Sequence, residues 1–172
     1  MILKGDILRR RWIFSFRKTS KVLGVTSRLN CGECIGDIRV EGFCKQTCHI
    51  LMWDFDNQKL SDIETNLRII QVRYALSDIR ILESNKEKGN YHAYCFTRTK
   101  WNRAIEIACA TRGIDWDFVR LAVYRGNFTL RVSQKLGNPK PELVSILDGF
   151  ELADCTPEDL EDFIEYEIWV KA

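Results

Sequence analysis

The chain has 172 residues, 45% of them apolar, which is enough to bury one good core and leaves room for only a small appendage. Its net charge of +2 joins unlike parts: residues 1–141 hold 25 Lys+Arg against 14 Asp+Glu, a balance of +11, and residues 142–172 hold one Lys against ten Asp+Glu, a balance of −9. No apolar run approaches the roughly 18 residues of a membrane span, and charges interrupt "MILKGDILRRRWIFSFRK" too early for a secretory signal, so a soluble, cytoplasmic protein with no membrane partner is expected.

In chain order, "RRRWIFSFRKTSK" alternates bases with aromatics. Two readings stand: a half-buried strand with Trp12, Phe14 and Phe16 on one face, or a basic aromatic groove that tracks single-stranded nucleic acid. Seven cysteines, an odd number, in a chain without export signals argue against a disulfide framework. Cys31 and Cys34 form C-x2-C, and Cys44 and Cys48 follow as C-x3-C, a plausible tetrahedral thiolate set for one structural Zn2+, with His49 as a substitute for Cys48. Buried, reduced thiols are the plainer alternative.

"HILMWDF" reads as a buried strand stopped by Asp56-Asn57. Ser61 with Glu64 has the capping-box pattern, and Ile63, Leu67, Ile70 and Tyr74 recur at helical spacing, so a helix over 61–76 is predicted. "DIRILES" (78–84) and "YHAYCFT" (91–97) are two strands around the polar turn "NKEKGN". Thr99 opens a helix that Gly113 stops. "DFVRLAVY" is read as a fourth strand and "FTLRVS" as a fifth. "GNPKPE" separates this core, residues 49–135, from an acidic C-terminal element over 139–172, in which "TPEDLEDFIEYEIWV" reads as a capped helix running into a strand. The predicted class is therefore α+β, a ferredoxin-like (RRM-like) βαββαβ core with a zinc-binding insertion in residues 1–48 and an acidic tail. In that topology the first strand lies between the third and the fourth.

Asp54 and Asp56, at i and i+2 on a strand, share a face, where both stay ionised at a cost unless a cation lies between them. The predicted topology brings His92, Asp115 and Asp117 to the same end of the sheet. Oxygen ligands of this kind suit Mg2+ or Mn2+ and two-metal attack on a nucleoside triphosphate. An isolated Asp-x-Asp that merely caps a loop is the bland alternative. Ser84, the turn amides and His92 can face one phosphate chain, and Arg125, Arg131 and Lys135 supply cations for phosphate or template.

Together, "DFD" after a hydrophobic strand, Ser84 followed by His92 across a Gly-containing turn, and an Asp followed by "YRGNFTLRVSQK" resemble the archaeo-eukaryotic primase superfamily, which includes the primase-polymerases. The resemblance covers roughly residues 49 to 135. It implies a DNA primase or primase-polymerase core that carries out template-directed nucleotidyl transfer, with Asp54, Asp56 and either Asp115 or Asp117 as the catalytic acids and Asp54 and Asp56 on metal. It also implies Ser84 and His92 on the triphosphate, and a small zinc module beside the core. A single-stranded DNA template and nucleoside triphosphates would be its partners, with a helicase or large primase subunit as a further one. A chain this short would suit a virus, plasmid or other mobile element. Ser84 and His92 stand further apart than in the tightest form of the motif, and "IDWDF" offers two acids where the family needs one. The competing readings are a non-catalytic RNA-recognition module using Tyr94 and Phe96, an accessory replication subunit with a degenerate primase fold, a rolling-circle initiator and a nucleotide cyclase. The initiator lacks its H-x-H pair here, and the cyclase leaves the cysteines and the basic hairpin unexplained.

Overall fold

A computed structural model of the chain describes residues 17–29, 48–135, 138–160 and 163–171. Cys31, Cys34 and Cys44, with Trp12, Phe14 and Phe16, lie outside the described residues. The zinc module and the aromatic N-terminal stretch therefore stay expectations.

The architecture is mixed α+β. In chain order it comprises β1 (Arg17–Thr26), β2 (Cys48–Phe55), α1 (Leu60–Tyr74), β3 (Ile79–Asn85), β4 (Asn90–Lys100), α2 (Trp101–Ala110), α3 (Trp116–Arg125), β5 (Thr129–Arg131), β6 (Glu142–Leu147), a 3-10 turn (Pro157–Asp159) and β7 (Phe163–Lys171). Two antiparallel sheets are formed, in the orders β2-β4-β3-β6 and β5-β1-β7. Residues of both sheets and of the three described helices enter one core around the fully buried Trp53, Phe55 and Phe128.

β2 is apolar on both faces because both are covered. Trp53 faces the helices, since its indole N–H donates to the Thr111 hydroxyl at the end of α2 over 2.9 Å. Alternation then turns Asp54 and Asp56 to the other face. α1 buries Ile63, Leu67 and Ile70 as its spacing predicts and stops where Ala75 turns left-handed at φ 50°. The Ser61/Glu64 capping box does not form. Lys59 precedes the helix, and Ser61 lies inside the first turn, where its carbonyl accepts from Thr65 Oγ1 at 2.8 Å. Thr99 likewise does not cap α2, whose preceding residue is Lys100.

"DFVRLAVY" is a helix, which corrects the predicted fourth strand. The Asp115 carboxylate accepts from the backbone N–H groups of Asp117 (3.0 Å) and Phe118 (3.2 Å), which supplies the N-cap, and Gly126 ends α3 at φ 72°. Phe118, Val119 and Ala122 form its buried stripe. Among the described residues, the predicted fourth strand therefore does not flank β2. That edge is taken instead by residues 27–29, with Leu29 N–H donating to the Cys48 carbonyl (3.0 Å) and Ile50 N–H to that of Ser27 (2.9 Å). The short β5 pairs with β1, not with β2.

Among its described residues, the C-terminal element contains no full helix. Thr156 and Pro157 open a single 3-10 turn, and the chain then extends into β7, which pairs with β1 from Val25↔Phe163 to Arg17↔Lys171. The acidic end of the chain is thus the hydrogen-bonded partner of a basic strand, and β6 joins the core sheet beside β3.

Gly89, in the β3–β4 turn, sits at φ +63°, and a Cβ there would fall 2.6 Å from the Gln58 carbonyl oxygen. The turn needs glycine to dock on the loop after β2, where Gln58 N–H donates to the Gly89 carbonyl at 2.9 Å. Gly89→Ala should cost roughly 1–3 kcal/mol in urea unfolding; an unchanged midpoint would show that this turn does not hold the loop.

Candidate active site at the end of strand β2

Asp54 and His92 are direct cross-strand partners on β2 and β4, with Asp54 Oδ1 3.7 Å from His92 Nε2. This is too long for a hydrogen bond. Nor is it an ion pair. Burial drives His92 down to about 3, with the Arg131 charge adding to the effect and the Arg131 backbone opposing it. Burial, followed by the charges of Asp56 and Asp115, drives Asp54 up to about 7 against the Phe55 amide and Arg131. The imidazole is therefore neutral at ordinary pH, and its Nδ1 is buried with no hydrogen-bond partner among the described residues.

Asp56 is the more exposed acid. Its carboxyl is also raised, by burial and then Asp115, while Lys135 and Lys88 pull the other way. Asp115 joins the pair through the backbone, its N–H donating to the Asp54 carbonyl at 2.8 Å. Each Asp115 oxygen accepts one amide of α3, which leaves lone pairs for a further partner. Asp117 does not join. Its carboxylate meets Arg120 at 3.0 Å with both side chains 79% exposed. Of the two candidate acids, the structure brings Asp115 to Asp54 and Asp56.

Arg131 is buried, and its guanidinium donates to the carbonyls of Ser133 (2.5 Å), Pro139 (2.7 Å) and Ser84 (3.0 Å). It thereby ties the end of β5 to the end of β3 while placing a positive charge near Asp54 and His92. Ser84 closes its own hairpin, its hydroxyl donating to the Asn90 carbonyl at 3.2 Å. Lys135 is exposed within reach of Asp56. Arg125 is not brought in. It ends α3, about 15 Å by helical rise from the Asp115 end.

His49 is fully buried, with Nδ1 2.9 Å from Ser27 Oγ, and burial followed by the Arg28 charge holds it down at about 4. Ser27 Oγ also accepts from Phe128 N–H at 3.0 Å, so this pair fastens β2 to both β1 and β5. Cys48 is buried at the start of β2.

Lys88 and Asn90 were missed by the sequence reading. Asn90 Oδ1 accepts from Asn57 N–H at 3.1 Å and fixes the loop that follows Asp56. The turn "NKEKGN" carried the signal, because a basic turn between the serine and the histidine has to lie over the same end of the sheet.

Among the described residues, no three His, Cys, Asp or Glu side chains stand as a ready metal cage. Two of the three carboxylates are held above their ordinary range, Asp54 by burial and then by Asp56 and Asp115, Asp56 by burial and then by Asp115, and oxygen donors of this kind are the ones a hard divalent cation takes. No protein-family model matches the chain, and no curated protein matches it. Among the described residues, no helix is long and apolar enough to cross a membrane.

Proposed function

We propose that this protein is the catalytic core of a DNA primase or primase-polymerase, a nucleotidyltransferase that draws on nucleoside triphosphates and a single-stranded DNA template. The observation that carries this reading is the meeting of Asp54, Asp56 and Asp115 beside the buried neutral His92, with the Arg131 charge acting on Asp54 and those of Lys135 and Lys88 on Asp56. Asp54, Asp56 and Asp115 would hold Mg2+ or Mn2+, which when bound supplies positive charge at the attacking oxygen and the phosphates. Lys135 and Lys88 draw the triphosphate to the open side of Asp56. His92 stands beside Asp54 as a buried neutral imidazole and adds no charge to the acids. In the reaction class, a 3′-hydroxyl oxygen bonds to the α-phosphorus, the bond to the bridging oxygen breaks, pyrophosphate leaves and the hydroxyl proton passes to solvent.

The RNA-recognition alternative needs exposed aromatics on the central strands. Of its two candidates, Tyr94 is only 7% exposed and offers no stacking face, while Phe96 is half-buried with the Arg80 guanidinium over its ring at 5.8 Å.

Cation affinity supplies the test. Because Asp54 keeps its proton up to about pH 7, a cation must displace that proton below this value. Mn2+ affinity, measured by calorimetry, should rise about tenfold per pH unit toward 7 and level off above it. Asp54→Asn should flatten the curve, and wild-type affinity that ignores pH would count against the site.

A further inference from the structure

Twelve large apolar side chains are exposed among the described residues, and nine of them fall into two patches. One patch is α3, which exposes Trp116, Leu121, Val123 and Tyr124. The other is residues 143–152, which expose Leu143, Val144 and Ile146 of β6, then Phe150 and Leu152. Apolar residues exposed singly need no explanation, whereas concentrations of this kind mark surfaces that another molecule covers. Tyr124 at 89% and Leu152 at 93% are the most exposed, so their own chain covers little of either.

The patches carry opposite charge. On α3, Arg120 stands between Trp116 and Tyr124 at i, i+4, i+8 spacing, and Arg125 ends the helix, against the one acid Asp117. Asp117 meets Arg120 as a fully solvated pair, which a partner's carboxylate can replace at little cost. Residues 141–154 hold Glu142, Asp148, Glu151 and Asp154 and no Lys or Arg. The cations beside them have other partners: the Arg80 guanidinium, opposite Ile146, lies over the Phe96 ring at 5.8 Å, and Arg68 donates to the Gln71 side chain and the Asp148 carbonyl.

The patches also lie apart. α3 starts at β2, where Asp115 N–H donates to the Asp54 carbonyl, and β6 is at the other end of the β2-β4-β3-β6 sheet, three strand spacings or about 14 Å away. Across a two-fold axis, either patch against its own copy would set acids on acids or arginines on arginines. One patch on the other matches charge as well as apolar surface.

We infer that this protein self-associates head to tail, residues 143–152 of one copy lying on α3 of the next. Because the two faces do not coincide, the contact repeats into a ring or an open chain and does not stop at a two-fold dimer. By sedimentation equilibrium, the weight-average mass of the full chain should rise with concentration past that of a dimer. Trp116→Ser/Tyr124→Ser and Phe150→Ser/Leu152→Ser alter exposed side chains only, so both should keep the wild-type circular dichroism spectrum. Each should weaken self-association at least about tenfold. Mixed, the two should recover a one-to-one complex and grow no further, since each supplies the face that the other lacks. A wild type that stays monomeric up to sub-millimolar concentration would overturn the inference, as would a mixture that stays monomeric. Either variant associating alone as the wild type does would show a two-fold contact and overturn it too. If Trp116→Ser/Tyr124→Ser lowers affinity for a single-stranded oligonucleotide and leaves self-association unchanged, α3 is a nucleic-acid face and the inference fails.

Discussion

Asp54→Asn should abolish template-dependent incorporation and, in the same protein, raise the melting temperature of the cation-free form at pH 8. The loss follows from removing a ligand from a charge-stabilising centre worth several kcal/mol, at least about a thousandfold in rate. The gain follows from linkage. Asp54 has its proton affinity raised on folding, to about 7, so the folded state holds a proton that the unfolded chain has released between about pH 4 and 7. Stability from this group is therefore lost as pH rises through that window and stays low above it. Asparagine keeps the shape without the charge and should recover about 1–3 kcal/mol at pH 8, a few degrees or more for a chain of this size. At pH 4.5, where Asp54 is already protonated, wild type and variant should melt together. Calorimetry at the two pH values checks this, and a melting temperature lowered equally at both would mean that Asp54 supports the fold instead of straining it.

Trp53→Ala is expected to have the largest effect on the fold. The side chain is fully buried between the core sheet and the helices, and its N–H is the 2.9 Å partner of Thr111. Truncation should cost about 3–5 kcal/mol through lost burial and the cavity left behind. Trp53 also sets which face of β2 the two acids occupy. Incorporation by whatever fraction remains folded should fall as well, because Asp54 is the next residue. Trp53→Phe keeps most of the volume, drops the hydrogen bond and should cost a smaller part of that total. Urea unfolding gives both numbers, and a loss under about 1 kcal/mol for the alanine variant would mean that the sheet is not anchored here.

The first half of the core was legible because period and burial agree there. β2 is an uninterrupted apolar run ended by Asp56-Asn57, and α1 carries its stripe at Ile63, Leu67 and Ile70. The pairing of Asp54 with His92 followed from topology alone. The reading failed where composition and capping disagreed. Phe118, Val119, Leu121 and Val123 look like a strand, yet Asp115 and Gly126 bracket them as a cap and a stop, and the cap prevailed. That one error moved β5 to the wrong sheet and kept Arg125 among the site residues. It also left Asp115 and Asp117 undecided, although an N-cap aspartate at the mouth of a sheet is held and one inside the first turn is free to reach Arg120. The pairing of β7 with β1 spans most of the chain and has no local signal.

The most direct measurement is incubation of purified protein with a single-stranded DNA template, labelled nucleoside triphosphates and Mn2+ or Mg2+, beside an Asp54→Ala/Asp56→Ala control whose fold is checked by circular dichroism. Template-dependent products from the wild type that vanish in the folded control are the expected result. Products of equal yield from that control would contradict the role assigned to the two aspartates.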